Sequence, residues 1–193
     1  MTVYRNFLTA AVIFALTGCA NAAPDIENTG TRELTVAAAE TPEARYGVLG
    51  FFDTDFNPKE TNRSHNIARS SNAINNQIIE PGQVFSYNEA VGPTTKKNGY
   101  KKGTIFIKGE KYDGYGGGVC QVSSTLYNAA ANAGMTIIER HDHSRPVDYV
   151  ELGNDAATSY GGKDLKFQND KPFPVIINSK VEDGTVSISI NAV

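Results

Sequence analysis

The stretch GYGGGVCQ sets Cys120 two residues behind the last of three glycines, and the residues after it repeat at helical spacing. A thiol attacks only as its thiolate, and a helix N-terminus favours that form because its unpaired N–H groups and dipole stabilise negative charge. Glycines ahead of it let the backbone approach a substrate and leave amides to hold an oxyanion. Cys120, with the backbone of Gly116, Gly117, Gly118 and Gln121, therefore suits a nucleophile and its oxyanion site. The competing reading is a small buried residue at a helix start, with glycines that only turn the chain. Ser123, Tyr127 and Arg145 complete the expected substrate-binding set. Tyr87, Tyr100 and Tyr115 read equally well as groove lining or core.

A cysteine nucleophile needs a base, and the chain has three histidines. His141 and His143 stand two apart in MTIIERHDHS, which reads as a strand, so their rings share one face and Arg140, Asp142 and Ser144 take the other. Either ring could reach Cys120 if that strand packs beside the helix. Asp155 in LGNDAATSY, or Asp148, is the carboxylate that would fix the tautomer of the base. His65 belongs to an Arg-rich helix start far earlier in the chain. Cys120, His141, His143 and Asp155 also satisfy a list of zinc ligands, but no paired CxxC or HExxH accompanies them, and neither metal nor cofactor is expected. The glycines are not followed by Gly-Lys-Ser/Thr, which excludes a phosphate loop.

The elements that must carry these groups follow from periodicity. YGVLGFF from Tyr46 suits a buried strand. A helix is predicted over 63–76, with Asn62 as its cap and Ile67, Ala68, Ser71 and Ile74 on one face. Pro81-Gly82 turns the chain into VFSYNEAVG, and a strand from Gly103 to Ile107 turns back near Gly109-Glu110 toward Tyr112. Val122, Leu126, Ala129 and Ala133 mark one buried face of the helix after Cys120, which Gly134 stops. PVIINSKV and TVSISINAV flank Glu182-Asp183-Gly184 as a hairpin. These elements predict one α+β domain over 46–193, mostly antiparallel, with two principal helices.

Ahead of it, residues 1–19 read as an export signal, with Arg5 before the apolar run from Phe7 to Gly18, too short for a membrane span. Leu16-Thr17-Gly18-Cys19 resembles a lipobox whose Cys19 becomes the lipidated N-terminus; the alternative is plain secretion, with cleavage after Ala20, Asn21 and Ala22. Residues 20–45 read as a flexible tether, reaching roughly 25–30 Å as a coil. Losing Arg5 with the leader moves the formal charge from −3 to −4, which argues against a nucleic-acid partner. With Cys19 lipidated or removed, Cys120 is the sole thiol and no internal disulfide can form. Lys96, Lys97, Lys101 and Lys102 crowd one segment and either attract an anionic partner or form a solvated loop.

PGQVFSYNEAVGP, NGYKKG, GGGVCQVSSTLYNAA, ERHDHSRPVDYVELGNDAA and DLKFQND together resemble the VanW family, named for an accessory protein of vancomycin-resistance clusters. The likeness runs from about Tyr46 to Val181. It implies a domain associated with L,D-transpeptidation of peptidoglycan, with Cys120 as nucleophile and His143 as the favoured base. Asp155 falls in a matching motif without an assigned role. The implied partners are peptidoglycan stem peptides, together with a membrane reached through Cys19. A non-catalytic envelope module that binds peptidoglycan or a partner is the other reading.

Overall fold

The structure is a computed structural model that describes residues 47–107 and 110–193, all within one compact unit. Cys19, the export signal and the 20–45 tether lie outside them. Among the described residues the chain forms an α+β domain with antiparallel sheets and three helices, two of them long. No described helix is long and apolar enough to cross a membrane.

The main sheet is built from β1 (Val48–Asp55), β2 (Gln77–Ile79), β8 (Val175–Glu182) and β9 (Thr185–Ala192), in the order β1-β9-β8-β2. Its β8–β9 hairpin follows from two adjacent residues, Asp183 and Gly184, with φ of 50° and 85°. Positive φ at both central positions is the backbone of a type I′ turn, whose twist matches the strands it joins. Along β9 the predicted alternation holds: Val186, Ile188 and Ile190 are fully buried, while the serines between them face outward.

The long helices α1 (Thr61–Ile74) and α3 (Val119–Asn132) cover the buried face of this sheet, α1 over β8 and α3 over β1 and β9. Helix α3 comes so close to β1 that a Cβ at Gly50 would lie 2.3 Å from the Ala129 carbonyl oxygen. Only glycine fits that crossing. Helix α1 begins two residues earlier than predicted, and Asn62 does not cap it: Glu60 holds the cap position, and the Asn62 amide donates to the Lys102 carbonyl at 3.0 Å. The helix ends at Ile74 because Asn75 turns extended and Asn76 takes φ 62°, sending its N–H to Ile177 and starting β2.

A second sheet joins β3 (Val84–Ser86), β7 (Lys166–Gln168) and β6 (Thr136–Glu139), in the order β3-β7-β6. The sequence reading did not separate β7 or the short helix α2 (Tyr87–Val91). That helix is capped by Ser86, whose Oγ accepts from Glu89 N at 3.2 Å. The third sheet is the hairpin β4 (Lys102–Ile107) and β5 (Glu110–Tyr115), whose predicted reversal falls on residues 108 and 109, outside the described set.

Candidate active site

Cys120 is the second residue of α3, and the three glycines before it are imposed by crowding and backbone conformation. Gly118 has φ +102°, and a Cβ there would lie 2.8 Å from Ile67. At Gly117 a Cβ would lie 2.6 Å from the Thr104 carbonyl oxygen of β4. The loop is held from behind by Asn66 of α1. Its buried amide donates to the carbonyls of Gly117 and Lys101, each at 3.0 Å, and its oxygen accepts from Lys101 N at 2.8 Å. Gln121, fully buried one residue after the cysteine, donates to Thr54 Oγ1 and the Asp55 carbonyl and accepts from Arg63 at 2.5 Å. The start of α3 is thereby fixed to both α1 and β1.

The opposite side of α3 is polar, and it builds the rest of the site. Ser123 Oγ donates to the Ala156 carbonyl at 2.6 Å, Ser124 Oγ accepts from Ala156 N at 2.9 Å, and Asn128 donates to the Asn154 carbonyl at 2.7 Å. These bonds pin the segment 154–158 along the helix. Asp155 and Thr158 are presented from it, and Ala157 N donates to the His141 carbonyl at 2.7 Å, drawing in the 140–143 segment.

Asp155 Oδ2 accepts from the Nδ1 of His143 at 2.5 Å and from its backbone N–H at 2.7 Å. Arg140 donates to the Asp155 backbone carbonyl and, at 3.1 Å, to its Oδ1, while its guanidinium lies 5.0 Å over the Tyr127 ring. With Nδ1 bound to the carboxylate, the other ring nitrogen is left free of it, and His143 and Cys120 line one groove, close enough for each to shift the other's titration. The Cys120 Sγ also lies 3.5 Å from the Thr158 carbonyl and 3.8 Å from its hydroxyl. Imidazole and carboxylate are thus hydrogen-bonded, the thiol shares their groove, and it is only partly buried.

The electrostatics match the geometry. Burial pushes the Cys120 thiol up, but the hydrogen bond and charge of His143, with smaller contributions from Thr158, outweigh it and bring the thiol below its ordinary value. Burial pushes His143 down, yet its bonds to Cys120 and Asp155 raise it overall. Burial likewise raises Asp155, and the two N–H groups of His143 more than reverse that. A lowered thiol beside a raised imidazole favours the thiolate–imidazolium form.

Cys120 opens into a groove of about 480 Å³ walled by the end of α2, the Gly92–Thr95 turn, β4, Tyr115 and the glycine loop, with Val147, Tyr149 and Thr158–Tyr160 opposite. A second cavity of about 690 Å³ continues past His143 and shares Arg63, Thr104, His143, Val147 and Tyr149 with the first.

Several predicted residues sit elsewhere. The strand ends at Glu139, so 140–144 is irregular and the expected two-face alternation does not apply; Arg140 and His143 converge on Asp155 instead of pointing apart. His141 is turned away, its Nε2 bonded to Glu139 at 2.9 Å. Glu139 is held down at about 2 chiefly by the Lys166 ammonium and next by His141. Ser123 is fully buried in α3's contact with Ala156, so it does not face the groove. Tyr127 packs against the core under Arg140 and lines neither cavity. Arg145 and Asp148 are exposed on the second cavity, away from the thiol. The Gln121 N–H is already donated to the Gly118 carbonyl. Tyr87 and Tyr115 do line the Cys120 groove, whereas Tyr100 is buried against Arg69 of α1. His65 bonds the Gly99 carbonyl at 2.9 Å. Among the described residues no three His, Cys, Asp or Glu side chains gather as a metal site.

Arg140, Thr158, Tyr149 and Arg63 are the residues of the site that sequence reasoning missed. Arg140 was the nearest to being found, being a cation within the same segment as the base. Arg63 carries no local signal, because it enters from α1, 57 residues before the cysteine.

Fold and site together define an α+β domain with a helix-start cysteine backed by histidine and aspartate. The chain belongs to the VanW family: the family model described as "VanW like protein" matches residues 62–191. It is 46% identical over 142 residues to the uncharacterized protein YoaR of Bacillus subtilis (strain 168), covering 74% of this chain and 47% of that one. It is 31% identical over 146 residues to the vancomycin B-type resistance protein VanW of Enterococcus faecalis (strain ATCC 700802 / V583), covering 73% of this chain and 52% of that one. The chain therefore spans about half the length of the curated relatives it matches. No solved structure matches it significantly.

Proposed function

We propose that the protein is a cysteine acyltransferase of the cell envelope that acts on peptidoglycan stem peptides, an L,D-transpeptidase forming 3-3 cross-links through a thioester on Cys120. The observation that carries this reading is that Cys120, at the start of α3, shares one groove with His143, whose Nδ1 is held by Asp155. Cys120 thiolate attacks the carbonyl of the diamino acid at stem position three. The oxyanion is met by the backbone N–H of Cys120 at the start of α3, where Val119 and Gln121 give their own N–H groups to the glycine loop. His143 protonates the departing D-residue and later accepts a proton from the acceptor amine. Asp155 holds the ring in the tautomer that this exchange requires, and Arg140 holds Asp155. Without an amine, water would resolve the thioester and the protein would act as a carboxypeptidase. The Cys19 lipobox would anchor it to the membrane, with residues 20–45 as tether.

The test uses the purified full chain with disaccharide-tetrapeptide. A covalent acyl adduct on Cys120 by intact mass, together with 3-3 dimers, both lost in Cys120→Ser, is the expected result. Peptidoglycan binding with neither product, unchanged in Cys120→Ser, would replace the enzyme with a binding module.

A further inference from the structure

The groove at Cys120 does not end at the imidazole. The second cavity reaches His143 from the far side without touching Cys120. The two differ in chemistry. Beside the thiol the walls carry Val91, Pro93, Ile105 and Tyr115; the far cavity adds Asp55, Glu60 and Asp148 together with Lys111 and Arg145, and Arg63 lines both.

We propose that this mixed-charge cavity seats an α-amino-acid end bearing both an ammonium and a carboxylate: first the residue that leaves when Cys120 is acylated, then the amine that replaces it. The proposal rests on the acyl-transfer reading above. In acylation a bond forms between the Cys120 sulfur and the carbonyl carbon, the C–N bond breaks, and the departing nitrogen takes the proton held by His143. In the return step an arriving ammonium first loses one proton to solvent. Its nitrogen then bonds the carbonyl carbon, the C–S bond breaks, and the next proton passes to His143, restoring the thiolate–imidazolium pair. Leaving and entering nitrogens are related by reversal of the same step, so both must lie beside the imidazole and opposite the acyl group. The acyl part occupies the Cys120 groove, and whatever is attached to the nitrogen extends past His143. There Arg145 meets the carboxylate throughout, and Asp148 with Glu60 meets the same nitrogen only as a free ammonium, after it has left or before it gives up its proton and moves to the imidazole. An apolar or purely anionic occupant would leave one set of these charges unmatched.

Exchange of isotopically labelled D-alanine into a disaccharide-tetrapeptide ending in D-alanine, catalysed by the full chain, reads this site directly. Arg145→Met and Asp148→Asn change exposed side chains outside the triad, and thermal unfolding checks that both variants are folded. Each should raise the half-saturating D-alanine concentration about tenfold or more, the loss falling on half-saturation rather than on the exchange rate at saturating D-alanine. D-alanine amide, which lacks the carboxylate, should exchange poorly into wild type and be indifferent to Arg145→Met. Unchanged half-saturation in both single variants and in the double variant would overturn the assignment, as would amide exchanging as well as the acid. Failure of the wild-type chain to form any thioester would overturn the acyl-transfer reading as well, and is distinguishable because it appears before any variant is made.

Discussion

Asp155 accepts two hydrogen bonds from a single residue, one from the ring of His143 at 2.5 Å and one from its backbone N–H at 2.7 Å. One carboxylate oxygen therefore fixes both where the base stands and how its ring is turned. Replacing Asp155 with Asn keeps the size but turns one of two accepting oxygens into an NH2, which must face either the N–H groups of His143 or the guanidinium of Arg140. Acylation of Cys120 by a stem peptide should fall by about 10²- to 10⁴-fold, as for the orienting carboxylate of other triads. Rapid-quench mass measurement of the adduct checks it.

The thiol is lowered chiefly because His143 outweighs burial, with Thr158 helping. In His143→Ala burial is opposed by Thr158 alone, so the thiol should titrate above its wild-type midpoint. The pH profile of iodoacetamide alkylation reads this: wild type should react at a midpoint below that of a free thiol, and the variant at a higher one. Equal midpoints would break the proposed Cys120–His143 coupling.

The Ser124 hydroxyl bridges α3 to the segment that carries Asp155, accepting from Ala156 N and donating to the Cys120 carbonyl at 2.8 Å. Ser124→Ala leaves the Ala156 N–H buried without its partner, at a cost of about 1–3 kcal/mol. Urea unfolding should show a lower midpoint at unchanged slope.

Gly117→Ala would drive a methyl group to 2.6 Å from the Thr104 carbonyl oxygen, a backbone atom that cannot swing aside. Separating β4 from the glycine loop should cost about 1–3 kcal/mol, the range for overpacking, and should widen the Cys120 groove. Thermal unfolding and thiol alkylation together report both effects.

Glu139 is held at about 2, chiefly by Lys166 and then by His141. A depressed carboxylate contributes stability that is present above its unfolded value and lost as pH falls through its folded one. Stability should therefore decline between about pH 4.5 and pH 2, and Glu139→Gln should flatten that limb when the melting temperature is followed against pH. The His143–Asp155 pair adds a contribution with two limits. The raised histidine loses its share as pH rises through its folded value, and the lowered aspartate loses its share as pH falls.

Much of the domain was legible in the chain because the signals were local. The alternation of Val186, Ile188 and Ile190 and the Asp183-Gly184 turn specify a hairpin without outside help. The 3.6-residue spacing of Val122, Leu126, Ala129 and Ala133 marks the core face of α3. The short pieces β7 and α2 carry too few residues to show a period, although Ser86 followed three residues later by Glu89 is a capping pattern.

The residues themselves determined that one cysteine stands at a glycine-led helix start and that imidazole and carboxylate are available further along. Tertiary structure decided which of them meet. His141 and His143 have the same chemistry and almost the same position in the chain, so nothing local separates them. What separates them is that β6 stops at Glu139 and the chain after it is pinned to the polar side of α3 through Ala157 and Asp155. That pinning turns one ring toward the sulfur and leaves the other on Glu139. A contact between groups 23 residues apart depends on how two packed segments are docked, and docking is set by buried hydrogen bonds that no single segment contains.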